Sequence, residues 1–130
     1  FLTEIKPHGA DPDWVPGTLL NAQVDTDHWL SAGVKPQVVS IYNGNDVLTP
    51  IDINHGRNIA WFAGADTMLA SGFLWDDIAK QLPYKPLLIW QPTGKGMVIS
   101  FTQEPTYRAY MDGLNTLLMN ALFLAPAKAQ

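Results

Sequence analysis

The strongest local cluster of titratable side chains is Asp25, Asp27 and His28, two carboxylates two residues apart with an imidazole directly after them. Residues i and i+2 share one face at a strand end, so the carboxylates can converge beside the ring as a general acid/base pair or a weak cation site. A small hydrolase using these three groups is one reading. The competing reading is structural and is the expected one: Asp25 and Asp27 accept hydrogen bonds from amides of their own turn, and His28 packs or caps.

The other chemistry-bearing residues are dispersed. His8 and His55 lie in separate turn-rich segments, and no His-x-x-x-His pair or other metal-ligand spacing occurs, so no metal site is expected in this chain. The chain has no Cys, which removes disulfides, thiolate nucleophiles and Cys-ligated zinc together. Ser31, Ser40, Ser71 and Ser100 sit outside any Gly-x-Ser-x-Gly elbow. Gly94-Lys95-Gly96 lacks the rest of a phosphate-binding loop and is flanked by strand-like runs, so a hairpin turn explains it better. Arg108, near the start of the last helical pattern, is badly placed for the helix dipole and calls for a carboxylate or carbonyl partner. Asn120 lies beside the apolar stripe, where its amide needs hydrogen bonds that would fix how the helix docks on a loop. Five Trp residues, at 14, 29, 61, 75 and 90, suit a carbohydrate or other ligand-binding module, although dispersed tryptophans more often fill a core or an interface.

The elements that must carry these residues follow from pattern. Residues 1–17, rich in Pro, Gly and Asp, read as a linker or wrapping arm, 18–125 as a single α/β domain, and 126–130 as a C-terminal tail. Strands are expected over 19–24, 38–42 and 59–63, with a second extended run over 47–53 that would pair with 38–42 as a hairpin or strand-loop-strand unit. A short helix is expected from near Phe73, capped by Ser71 and stopped by Pro83. The runs 87–90 and 97–101 form the clearest hairpin. Tyr107, Tyr110, Met111, Leu114, Leu117, Leu118, Ala121 and Leu122 recur at helical spacing, predicting an amphipathic helix that starts at Pro105, ends at Pro126 and closes the fold.

With 130 residues the chain is one domain of ordinary size. Charged residues make up only 15%, against about 25% in a typical soluble domain, which fits either a surface partly covered by a neighbouring domain or subunit or a neutral polar surface supplied by Thr, Asn and Gln. The net charge of -4, with arginine only at 57 and 108, offers no stripe to neutralise a phosphate backbone, so nucleic acid is not an expected partner. No apolar run reaches membrane-spanning length. A start at Phe1 without Met or a basic-then-apolar leader reads as a processed or excised piece of a larger protein.

Several short motifs occur in an ordered series: Pro16-Gly17-Thr18-Leu19-Leu20, Asp25-x-Asp27-His28-x-Leu30-x-x-Gly33, Ser71-Gly72-Phe73-Leu74, Gly94-Lys95-Gly96-Met97-Val98, then Tyr107-Arg108 and Leu117-Leu118-Met119-Asn120-Ala121-Leu122. In this order the chain after Val15 resembles the C-terminal part of the class I glutamine amidotransferase-like domain that follows the catalytic domain in some large bacterial zinc carboxypeptidase-like proteins. Trp29 departs from the pattern, which has proline after the histidine. The resemblance implies the later half of a doubly wound α/β sheet with the C-terminal amphipathic helix packed on it. It implies that the catalytic carboxylate and the zinc belong to the parent's peptidase domain, with no cofactor in this chain. It also implies periplasmic or secreted location, and a partner that is the parent's catalytic domain or a second subunit. The expectation is therefore a non-catalytic accessory domain that packs on or assists a zinc metallocarboxypeptidase, with Asp25, Asp27, His28, Tyr107 and Arg108 as candidate ligand-binding positions.

Overall fold

The computed structural model describes residues 5–7 and 9–129, so His8 lies outside the described residues. Six strands and three helices follow one another as β1 (Val15–Val24), β2 (Gln37–Gly44), β3 (Arg57–Phe62), α1 (Ala65–Met68), β4 (Leu69–Ser71), α2 (Asp76–Gln81), β5 (Pro86–Thr93), β6 (Gly96–Phe101) and α3 (Asp112–Lys128), with single 3-10 turns at Trp29–Ser31 and Tyr107–Ala109. The strands form one curled sheet, a half-barrel ordered β2-β1-β3-β5-β6, and β4 adds to β1. No helix of the described residues is long and apolar enough to cross a membrane.

Alternation builds β1 and β2. Val15, Thr18, Leu20, Ala22 and Val24 point inward from β1, and Val38, Ser40 and Tyr42 do so from β2, while the residues between them face out. Pro16 and Gly17 are accommodated by a bulge at the start of β1, where Gly17 takes φ 126. In the central strands Ile59 and Ala60, like Leu87 and Leu88, are buried as consecutive pairs, because both faces of the sheet are covered there. Leu114 and Leu117 of α3 complete the core on one side, and Ile78 and Leu82 enter it from α2 and the residue after it.

The α/β class and the closing helix agree with the sequence reading, but the strand order differs from a doubly wound sheet. All ladders are antiparallel, and the helices between β3 and β5 have only four and six residues. Parallel neighbours require right-handed crossovers of a dozen residues or more, and none of these pairings uses one.

Four local expectations are also corrected. Residues 47–53 do not pair with 38–42: among the described residues β2 pairs with β1 alone, and 47–53 belong to no strand. The run is instead irregular and is pinned by Asn58, whose side-chain amide exchanges two hydrogen bonds with the backbone of Ile51 at 3.0 and 2.9 Å. Ser71 does not cap a helix: it lies in β4, and α2 begins at Asp76 after Trp75 without a side-chain cap. The last helix begins at Asp112, not at Pro105, because Arg108 and Ala109 adopt left-handed φ of 47 and 54 that no α-helix continues through. Pro126 lies inside the final turns of α3 and does not end it.

Residues 9–13 lie against α2, and residues 15–17 belong to β1. Gln81 bridges to the former twice, accepting from the Gly9 amide at 3.1 Å and donating to the Ala10 carbonyl at 3.2 Å, and the Asp13 amide donates to Asp77 at 2.8 Å.

Candidate functional site

The turn after β1 is positioned by the β1–β3 ladder. The Asp25 amide donates to the Ile59 carbonyl at 2.8 Å, which places its carboxylate beside Arg57, and Oδ2 of Asp25 lies 2.6 Å from Nε of Arg57. The other carboxylate oxygen accepts from the Asp27 amide at 3.1 Å. His28 caps the 3-10 turn, its Nδ1 accepting from the Leu30 amide at 3.3 Å, and its ring lies between Trp29 and Trp90 at centroid distances of 5.3 and 5.2 Å. The buried Ser31 hydroxyl sits 2.5 Å from the Asp25 carbonyl and 2.7 Å from that of His28, closing the turn. Asp25 and His28 are thus both acceptors within their own turn. Asp25 and Arg57 also line a shallow depression of about 250 Å³ with Trp61 and Tyr84. Sequence reasoning missed Arg57 and Trp90 at this place, since both arrive through strand register and have no local spacing to Asp25 or His28.

This turn is the seat of α3. Asn120 donates to the carbonyls of Leu30 and Ala32 at 2.8 and 2.9 Å, the docking role its position in the stripe suggests.

Tyr107 and Arg108 lie elsewhere. Arg108 is over the Tyr107 ring at 5.5 Å, and among the described residues no carboxylate or carbonyl pairs with it, contrary to the expectation for a helix start. Its left-handed backbone takes it out of the helix, which removes the dipole conflict. Tyr107 lines a cleft of about 640 Å³ whose floor is Leu19, Val39 and Ile41 on the outer side of β1 and β2, with Tyr110 and Met111 on the facing wall. A second hollow of about 400 Å³ continues it past Ile41 and Tyr107 to Asn43 and Glu104. Neither hollow is lined by Asp25, Asp27 or His28, so the candidate residues fall into two separate places. Among the described residues no group of three or more His, Asp or Glu is placed to hold a metal ion.

Comparison with known proteins gives no match. No family model, curated protein or solved structure matches the chain.

Burial between the two indoles and the nearby Arg57 guanidinium lower the His28 pKa below its ordinary value, and Asp25 opposes this more weakly. The folded state therefore prefers the neutral ring, which alone can accept from Leu30. Its stabilising effect is complete above about pH 6.5, the unfolded value, and is lost as pH falls through the lower folded value. Urea titrations between pH 7.5 and 5.5 should show stability falling toward acid, and His28→Asn, which still caps but does not titrate, should flatten that slope. An unchanged slope in the variant would assign it to other groups.

Proposed function

We propose that this chain is a non-catalytic accessory domain that packs on, or assists, the peptidase domain of an exported zinc metallocarboxypeptidase-like protein. The observation that carries it is the outer half of α3. Leu122 and Phe123 are 61% and 70% exposed there, beside the exposed Met119, where a lone small domain needs polar cover. The low charged fraction of 15% points the same way. The amidotransferase-like relationship is proposed on the order of its short motifs and not on strand order. Zinc and the peptidase carboxylate belong, on this reading, to the neighbouring domain.

Hydrogen exchange of residues 119–125, measured in the natural full-length polypeptide and in this chain alone, tests the reading. Strong protection in the longer protein and free exchange in the chain are expected. Equal exchange, or chelator-sensitive release of C-terminal residues from peptides by the purified chain, would reject it.

A ligand-binding module is the second reading, favoured by one aromatic ledge. Phe73 and Trp75 meet edge-on at 4.8 Å, the Trp75 indole donates to the Trp14 carbonyl at 3.3 Å, and all three side chains are exposed. Sugar titrations followed by tryptophan fluorescence separate the two, since the accessory reading expects flat curves.

A further inference from the structure

The sheet leaves one edge of β2 open, and the alternation of its hydrogen bonds tells which groups face outward. The Val24 amide donates to the Pro36 carbonyl at 2.8 Å, so in the same register Val38, Ser40 and Tyr42 exchange bonds with β1. The backbone N–H and C=O groups of Val39, Ile41 and Asn43 then point away from the sheet. At Asn43 the amide already has a partner, because Oε1 of the buried Gln103 accepts from it at 2.9 Å. A side-chain amide there occupies the place of a neighbouring strand's peptide group. One step along the edge, at Val39 and Ile41, the only bond among the described residues is a local one, the Ser40 hydroxyl to the Ile41 carbonyl at 3.0 Å.

These free positions border the 640 Å³ cleft, whose far wall is Tyr107 and Tyr110. The left-handed pair Arg108 and Ala109 holds the two tyrosines at its rim and not in a helix. Charges mark the ends. Lys35 lines the cleft where β2 begins, Asp112 lines it from the start of α3, and Glu104 lines the adjoining hollow beside Asn43. A strand antiparallel to β2 ends at the Lys35 side and starts at the Glu104 side, so both of its terminal charges meet opposite ones. A parallel strand would face two like charges.

We propose that the open edge of β2 binds a short extended peptide as an added antiparallel strand, with the peptide's free carboxylate at Lys35. The site takes about five residues, roughly 17 Å of extended chain, between Gln37 and the Gln103 block. Alternate peptide side chains lie beside Val39 and Ile41 and against Tyr107 and Tyr110, which selects apolar residues at every second position. The inference stands apart from the accessory-domain reading, which rests on α3.

The test uses the whole 130-residue chain, labelled for amide NMR, and a pentapeptide of alternating valine and threonine with free termini. Saturable shifts and slowed exchange at the Val39 and Ile41 amides are expected, with several-fold weaker binding of the C-terminally amidated peptide. Val39→Pro removes an outward donor without touching a bond to β1, and should weaken binding about tenfold or more while the β1–β2 amides stay protected. If that variant loses its fold, the same peptide with N-methylated backbone amides makes the equivalent deletion on the unaltered protein, with the same expected loss. The proposal is overturned if shifts at these amides do not saturate, if N-methylation or a folded Val39→Pro leaves affinity unchanged, or if the free protein protects these amides by self-association at rising concentration.

Discussion

Replacing Leu117 with alanine is expected to destabilise the domain by about 2–5 kcal/mol, the range for removing a fully enclosed leucine from a core that relaxes only in part. Leu117 is 0% exposed and shares the core with Leu114, while Asn120, one turn on, fastens the same helix face to the 29–32 turn. Six residues further along, Phe123→Ala should change stability by less than about 0.5 kcal/mol, because that ring faces solvent in the described chain. Denaturant unfolding of the two variants side by side is the measurement. Equal losses would mean that the outer half of α3 is seated in this domain and is not a surface offered to a neighbour.

Gly56→Ala is expected to cost about 1–3 kcal/mol or more through overpacking. A Cβ at this buried position would overlap the Trp90 carbonyl oxygen and come within 3.1 Å of the Ile51 side chain and 3.2 Å of the Gln91 Cα. Two of these three are backbone, which no rotamer change can move. Relief requires β5 to shift, and β5 carries the indole that shields His28. A lower melting temperature together with altered exchange at Leu30 would register both effects. A variant as stable as the parent protein would show that the 54–56 turn yields instead of β5.

What the sequence discloses and what it conceals divide along the range of the interactions. Alternation in Leu19 to Val24 and Val38 to Tyr42, and the two glycines between Trp90 and Met97, are local signals, and each locates its strand or hairpin correctly. The run Leu87-Leu88-Ile89 lacks alternation because its first two residues are covered on both faces, and the hairpin expected of it with 97–101 is the antiparallel β5–β6 ladder. Periodicity reports burial, not strand direction. Tyr107 and Tyr110 fit the helical stripe by spacing, but Arg108 and Ala109 between them take left-handed φ and both rings line the cleft, which spacing does not foretell. At the turn after β1, the Asp25 and His28 contacts to their own backbone follow from residue type. Arg57 depends on register across two strands, and nothing near Asp25 in the chain announces it.

The ties made by two side-chain amides govern the order in which the protein can assemble. Gln81 reaches back 72 residues to Gly9, and Asn120 reaches back 90 residues to Leu30. Closing such long loops costs entropy before any contact returns it, so folding is expected to be slow and concerted. A chain emerging from the ribosome would hold β1 and the 29–32 turn without their clasp until synthesis had passed Asn120 and the exit tunnel had released it.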